Sequence, residues 1–300
     1  MADLQFFQAE RPRLFSIAYR MLGSATEADD VLQDAWVRFH TAETTDLRSP
    51  QAFAATIVTR LCLDRLKSAR AKREQYVGPW LPEPLLTDGR ETPEVLAERA
   101  ESVTLAFLVL LESLTAEERA VFLLKEVFEY EHAEIGEMLG TTAANSRQLL
   151  QRAKAKVRPE QGRSERGHAP ETHLQLATRF AEAFQSGDAA QLTELLAADV
   201  SFVSDGGGKV VAARRPLEGR SEVLKFLVGL HRTGQATGLA TRLTGQVAEV
   251  NAEPALLVRM DGRLDGVFVL SILEGTISGI RVVRNPDKLA FLDRQFNATY

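Results

Sequence analysis

The residues with the sharpest chemical pattern lie between Glu131 and Val157, EHAEIGEMLGTTAANSRQLLQRAKAKV. Ile135 and Leu139 fall at helical spacing, Gly140 permits a tight turn, and Thr142 can cap a second helix. That helix carries Asn145, Ser146, Arg147 and Gln148 early and Arg152, Lys154 and Lys156 late. Small and polar side chains at the start of such a helix can reach base edges, while later cations hold phosphates. The chemistry implied is duplex reading by a helix-turn-helix, although a structural helical hairpin carries the same apolar pattern. A second cationic window, Arg60 to Arg73, holds Arg60, Arg65, Lys67, Arg70, Lys72 and Arg73 against Asp64 alone. Residues 138–159 contain no acid. The whole chain is nevertheless acidic, with a net charge of −5, so only local patches suit nucleic acid and non-specific binding is limited.

Other candidate chemistry is thinner. Gly206-Gly207-Gly208-Lys209 lacks the frame of a phosphate loop, because Val210 stands where Ser or Thr is required. Glu129 and His132 have a di-metal spacing that occurs once only, and the single cysteine, Cys62, excludes an intrachain disulfide and a Cys-rich zinc site. No metal or cofactor is expected. Asp29, Asp30 and Asp34, with Gln33, suit a protein-docking face of an amphipathic helix better than a carboxylate site. Asp199, Asp205, His231 and Asp265 are the polar candidates for acid–base work in the C-terminal half, and no two form a convincing pair.

At 300 residues the chain that positions these groups is expected to hold about two domains. The first 160 residues read as helices. Leu14, Ile17, Ala18, Met21 and Leu22 form one stripe, Val31, Ala35, Trp36 and Phe39 another, and Val103, Ala106, Phe107, Leu110 and Leu111 a third. Thr115 and Glu118 have capping-box spacing. The stretch 76–93 breaks the pattern with four prolines and two glycines; its Trp80 and Leu81 suggest a docked linker. A polar boundary follows at 159–170. Beyond it, helices at 173–185, around 192–196 and at 221–230 mix with strand-like runs at 200–203, 209–213, 239–250, 255–260, 267–273 and 278–283. That order predicts an α+β domain. The longest pure apolar run, Leu105–Leu111, is far short of the roughly 20 residues that span a bilayer, and MADLQFFQAERPR has no signal-peptide layout. No membrane partner and a cytoplasmic location are expected.

Taken together, these motifs resemble the extracytoplasmic-function (ECF) sigma factors of bacterial RNA polymerase. Residues 10–73 resemble sigma region 2, with ERPRLFSIAYRMLGSATEADDVLQDAWVRFH as the helix pair that docks on polymerase and SPQAFAATIVTRLCLDRLKSARAKR as the segment that captures the −10 element. Residues 115–157 resemble region 4. Arg60 stands where many of these factors carry Asn, and Glu131 where Ser or Thr opens the turn motif. WLPEP (80–84), DGGGKV (205–210) and NPDKL (285–289) resemble the SigJ-type subgroup, whose C-terminal extension is SnoaL-like, with the cone fold of nuclear-transport-factor-like proteins.

The resemblance implies a multi-domain chain: region 2 at 1–75, a WLPEP linker at 76–101, region 4 at 102–158, a linker at 159–170 and the cone at 171–300. It implies core RNA polymerase and promoter DNA as partners. Asp29, Asp30, Gln33 and Asp34 would face polymerase. Arg60, Arg65, Lys67 and Arg70 would grip the −10 strand. Asn145, Arg147 and Gln148 would read the −35 duplex, with Arg152 and Lys154 on phosphates. Trp80, Leu81, Asp205, Gly206, Gly207, Lys209, Asn285, Pro286, Asp287 and Lys288 would regulate the sigma domains. The alternatives are a one-component helix-turn-helix regulator sensing a small ligand in the cone, and a cyclase- or isomerase-like enzyme fused to helices.

Overall fold

A computed structural model describes residues 2–42, 49–87, 103–157 and 170–299. The chain divides into two compact units, Met1–Gln75 with Thr92–Gly162, and Tyr76–Glu91 with Arg163–Tyr300.

The first unit is all helical. Its elements are α1 (Ala2–Leu22), α2 (Ala25–Thr41), α3 (Pro50–Glu74), α4 (Leu105–Leu111), α5 (Ala116–Phe122), one wider π-type turn (Leu123–Val127), α6 (His132–Leu139) and α7 (Ala143–Lys156). Local signals set these boundaries. Ser24 accepts the Glu27 N–H at 3.0 Å to open α2, whose Ala25, Ala28, Val31, Leu32, Ala35 and Phe39 are buried. The Thr115–Glu118 capping box forms, with reciprocal bonds of 3.0 and 3.2 Å. Glu118 also receives Lys156 from α7 at 2.6 Å. Burial disfavours its charged form, but Lys156 and the Thr115 N–H outweigh that and hold its carboxyl below the usual value. Helices α1, α2 and α3 pack on one another, α3 also packs on α5 and α6, and α7 packs on α5 and α6.

The second unit is α+β, as the sequence predicts. After α8 (Pro170–Ser186) and α9 (Ala189–Leu195) come β1 (Leu196–Asp205), β2 (Leu217–Glu218), α10 (Arg220–Ala236), a 3-10 turn (Leu239–Arg242), β3 (Leu243–Val250), β4 (Glu253–Met260), β5 (Arg263–Leu273), β6 (Thr276–Val283) and α11 (Pro286–Thr299). The sheet order is β2-β1-β6-β5-β4-β3, antiparallel except for the parallel β1–β6 pair. This is the mixed sheet of a SnoaL-like cone. Strand alternation divides its core: Val200, Phe202, Leu256, Phe268 and Leu270 pack with Phe180, Leu192, Val223 and Leu227 of the helices. The alternate residues Val267 and Val269 are equally buried on the other face, where α11 packs on β5.

One expectation is corrected. Residues 209–213 are no strand: Gly207 and Gly208 take positive φ, and the chain turns back so that the Ala213 N–H reaches the Ser204 hydroxyl at 2.9 Å. Residues 76–87, part of the stretch expected as a docked linker, are built into the second unit. Leu86 bridges to Val250, the Leu85 N–H donates to the Asn251 side chain at 2.9 Å, and the Leu86 N–H donates to Gln295 at 3.1 Å. The remaining expected linker residues, 88–101, and those at 159–169 lie outside the described ones.

Candidate nucleic-acid interface

The turn motif is held by backbone geometry. Gly140 ends α6 in the left-handed region, at φ 66°, and the Thr141 N–H returns to the Gly136 carbonyl at 2.8 Å. A Cβ on Gly136 would meet the Thr141 carbonyl oxygen at 2.9 Å, so this helical glycine, which the sequence reading passed over, permits the tight approach. Thr142 accepts the Asn145 N–H at 3.1 Å and starts α7. Glu131 serves where Ser or Thr is usual, because the Glu134 carboxylate accepts its N–H at 2.7 Å.

On α7, Leu149, Leu150 and Ala153 face inward, while Arg147, Gln148 and Arg152 are exposed, with Gln148 and Arg152 one turn apart on the same face. Asn145 is half-buried, its amide donating to the Thr141 hydroxyl at 2.8 Å. Ser146 departs from the base-reading expectation: it is fully buried and lies 2.9 Å from the His132 Nδ1. Burial, reinforced by Arg147 and Lys125, pushes the His132 pKa down despite Glu131 and Glu126. Lys154 pairs with Glu126 at 2.9 Å. That exposed pair can be traded for a phosphate at small cost.

In α3, Arg65 pairs with Asp34 at 3.0 Å and Asp30 at 3.6 Å, and donates to the Glu27 carbonyl at 3.3 Å. Asp29 pairs with Arg11 and accepts from the Gln33 amide at 3.3 Å. The acidic face of α2 is thus partly neutralised by Arg65, a residue expected on the −10 strand. Lys67 is exposed and pairs with Asp64 at 3.5 Å. Arg60 reaches the Met138 and Glu137 carbonyls. Arg70 lies on α3, but its side chain is outside the described ones.

The second unit gathers the three remaining motifs around Asp205, which is 0% exposed. Its Oδ1 accepts the Tyr76 hydroxyl at 2.6 Å and the Gly207 N–H at 3.0 Å; its Oδ2 accepts the Leu81 N–H at 2.8 Å and the Lys288 ammonium at 2.7 Å. Lys288 also donates to the Leu81 carbonyl at 2.6 Å and lies 4.2 Å from the Trp80 ring centroid and 4.7 Å from that of Tyr76. Asn285 donates to the Tyr76 hydroxyl at 2.8 Å and opens α11, with Pro286 in the first helical position. A Cβ on Gly207 would collide with Asn285. Lys209 pairs with Asp287 at the rim, and Gly206 turns the loop so closely that a Cβ would strike the Val210 carbonyl. Tyr76 joins the DGGGKV and NPDKL motifs, yet the sequence reading did not single it out; its only signal is its place four residues before Trp80. Burial and the Asp205 carboxylate push its hydroxyl far above the usual value, so it stays a donor.

The acid–base candidates are accounted for separately. Asp205 is enclosed in the cluster, Asp265 pairs with Arg284 at 2.7 Å, Asp199 is exposed, and the His231 ring lies against Gly187. No metal-ligating cluster occurs among the described residues, and none of their helices is long and apolar enough to cross a membrane.

A turn motif presenting exposed Arg147, Gln148 and Arg152, beside a basic helix, is the equipment of a promoter-specificity subunit of RNA polymerase. The comparisons agree: the family Sigma-70 region 2 matches residues 6–72, and Sigma-70, region 4 matches 104–157. The chain belongs to the ECF RNA polymerase sigma factors and is of the SigJ type. It is 35% identical to the ECF RNA polymerase sigma factor SigJ of Mycobacterium tuberculosis, covering 95% of this chain and 93% of that protein. It is 31% identical to the probable ECF sigma factor SigI of the same species, over 94% and 93%. The crystal structure of M. tuberculosis SigJ superposes with a TM-score of 0.76 at 32% identity, covering 96% of this chain and 98% of that one. A protein of this family binds core RNA polymerase and promoter DNA and directs promoter-specific initiation.

Proposed function

We propose that α7 reads the −35 element through Asn145, Arg147 and Gln148, with Arg152 and Lys154 on phosphates. In this reading α3 grips the −10 strand through Arg60, Lys67 and Arg70. The face of α2 bearing Asp29, Asp30, Gln33 and Asp34 engages polymerase after Arg65 and Arg11 release it. The protein works in the cytoplasm beside polymerase, and its C-terminal unit regulates without catalysing a reaction.

The observation that carries the regulatory reading is the Asp205 cluster. It fixes residues 76–87, which follow α3 directly in the chain, to the C-terminal unit through a buried ion pair. Between the sheet and the helices aromatic rings pack on one another: Phe202 and Phe226 lie 5.0 Å apart, Phe184 and Phe268 6.0 Å.

The test is transcription with core enzyme. Arg147→Ala is expected to lose about 1–3 kcal/mol of discrimination between cognate and mismatched −35 sites. Unchanged discrimination would remove Arg147 from base reading. Ending the chain before Asn285 should change yield at equal folded protein, because it deletes Lys288; the same yield as full length would make the C-terminal unit a passenger.

A further inference from the structure

The sheet of the second unit has two ends, and they differ in length. β2 at one end has two residues; β3 at the other has eight, in unbroken register with β4. The way β3 faces follows from its hairpin. Asn251 and Ala252 take positive φ, 54° and 56°, in the two-residue turn between Val250 and Glu253. Residues flanking such a turn bond to each other, so Val250, Ala248, Gln246 and Thr244 turn their N–H and C=O groups to β4. Glu249, Val247, Gly245 and Leu243 turn theirs outward. Two bonds near the turn show the alternation: the Thr87 N–H donates to the Glu249 carbonyl at 2.9 Å, and the Asn251 N–H to the Leu85 carbonyl at 2.8 Å. Among the described residues, no backbone partner reaches Val247, Gly245 or Leu243 on that side.

An open edge of this kind is ordinarily blocked by a charge, a proline or a bulge. β3 has none of these between Leu243 and Ala248. The neutral stretch extends further. Residues 233–248 carry a single charge, Arg242, where the chain's 26% charged content predicts about four. Asp261 holds that arginine at 3.0 Å. Thr244, Gly245 and Gln246 are nevertheless exposed, and Leu243 and Val247 are half-buried. Depletion of charge is the composition of an interface core rather than of open surface.

The geometry points to a second copy of this chain as the occupant of the edge, paired antiparallel through β3 about a two-fold axis at Gly245. The register follows from symmetry. A two-fold axis perpendicular to the sheet keeps each side chain on its own face, and Gly245 on the axis sets Leu243 opposite Val247 of the second copy. All the outward groups of Leu243, Gly245 and Val247 then bond across the axis. Moving the axis one residue toward the turn sets Leu243 against Glu249, whose carbonyl Thr87 already holds; moving it the other way sets Val247 against Thr241, in the 3-10 turn. On the core face Leu243 meets Val247, and on the other face Thr244 meets Gln246, so apolar groups meet apolar ones and polar groups polar ones. The missing charges argue for an identical partner. Self-pairing brings every charge near its own copy, and a partner of different sequence sets no such condition. Five residues a side bury less than the about 1,200 Å² of a stable complex, so the dimer forms reversibly. None of these residues carries a DNA-reading or regulatory assignment, so the inference stands apart from the function proposed above.

The test uses the full chain, whose single native cysteine, Cys62, is fully buried. Sedimentation across a range of concentrations should give the mass of one chain at the lowest and approach that of two at the highest. Thr244→Cys and Gln246→Cys, both at exposed positions, face each other in this register at a Cα separation of about 4.5 Å, within disulfide reach. Mixed and oxidised, the two variants should form a linked dimer. Each alone should not, because its own copy lies on the diagonal, about 7–8 Å away. Thr244→Lys with Gln246→Lys sets like charges opposite each other on both sides of the axis and should raise the dissociation constant about tenfold, with the monomer equally stable. A single-chain mass at every concentration overturns the pairing; exchange protection of the Leu243, Gly245 and Val247 amides in that monomer would show the edge to be covered within one chain. A dimer that the lysines leave intact, or single variants that cross-link as fast as the mixture, places the contact on another surface and overturns the pairing equally.

Discussion

In the second unit Lys288 meets a carboxylate; in the first, Arg60 meets backbone carbonyls. Both arrangements tie distant segments together, Tyr76–Leu81 to α11 in one case and the two sigma domains in the other. They differ in what is left when the tie is broken. Removing Lys288 strands the Asp205 charge inside the unit, where water does not reach it. Removing Arg60 takes a donor from two helix-end carbonyls, which are neutral, and leaves no buried charge behind. A sealed charge pair makes a permanent attachment; an arginine lent to carbonyls makes one that another ligand, such as a nucleic-acid backbone, can claim.

The largest expected effect tests that contrast. Lys288→Met should destabilise the second unit by about 3–5 kcal/mol, the usual cost of an uncompensated buried charge, and adding Asp205→Asn should restore part of it. Arg60→Gln should cost the first unit about 1 kcal/mol or less. The chain carries its two tryptophans, Trp36 and Trp80, in different units, so urea unfolding followed in Trp36→Phe and Trp80→Phe backgrounds reads each unit separately. Equal losses for the two variants would erase the distinction between sealed and lent charges.

Legibility from sequence followed the range of the forces involved. The turn motif could be read residue by residue because its determinants are local: Thr142 caps its own helix, Gly140 ends the one before it, and Thr115 and Glu118 bond across one turn. Ser146 misled because its type was weighed above its spacing. It stands three, four and seven residues before Leu149, Leu150 and Ala153, on the buried stripe. Residues 209–213 misled for the opposite reason: Val210 and Val211 have strand propensity, but the glycines before them impose a turn. The convergence of WLPEP, DGGG and NPDKL was marked only by resemblance, since Tyr76 and Asn285 are 209 residues apart and no periodicity links them. The Arg60 cap was out of reach in the same way, as its acceptors are backbone atoms and leave no side-chain signature at residues 137 and 138.

A smaller effect is expected at the Lys154–Glu126 pair, another charge that can be traded. Lys154→Ala should weaken binding to all DNA sequences and reduce the slope of log affinity against log salt by about 1. Glu126→Gln, which frees Lys154 from its partner, should strengthen non-specific binding without altering promoter preference. A Glu126→Gln protein with unchanged affinity at low salt would show that the pair never competes with phosphate.

The smallest expected effect concerns the bond between His132 and Ser146, a half-buried contact that joins the two helices of the turn motif without a sealed charge. Burial and the neighbouring Arg147 and Lys125 favour the neutral ring, so the folded pKa lies below the ordinary value near 6.5. The folded protein therefore binds fewer protons here than the unfolded chain, and this contribution is fully present above pH 6.5 and lost as the pH falls through the lowered folded value. As the pH falls below 6.5 and through the lowered folded value, the hydrogen-exchange protection factors of α7 should decline, because a protonated His132 is repelled by the neighbouring Arg147. In His132→Gln the same amides should keep a protection that varies less with pH, since glutamine does not titrate. An equal decline in both proteins would place the acid sensitivity elsewhere, and His132 would then be a packing residue whose proton has no effect on the turn motif.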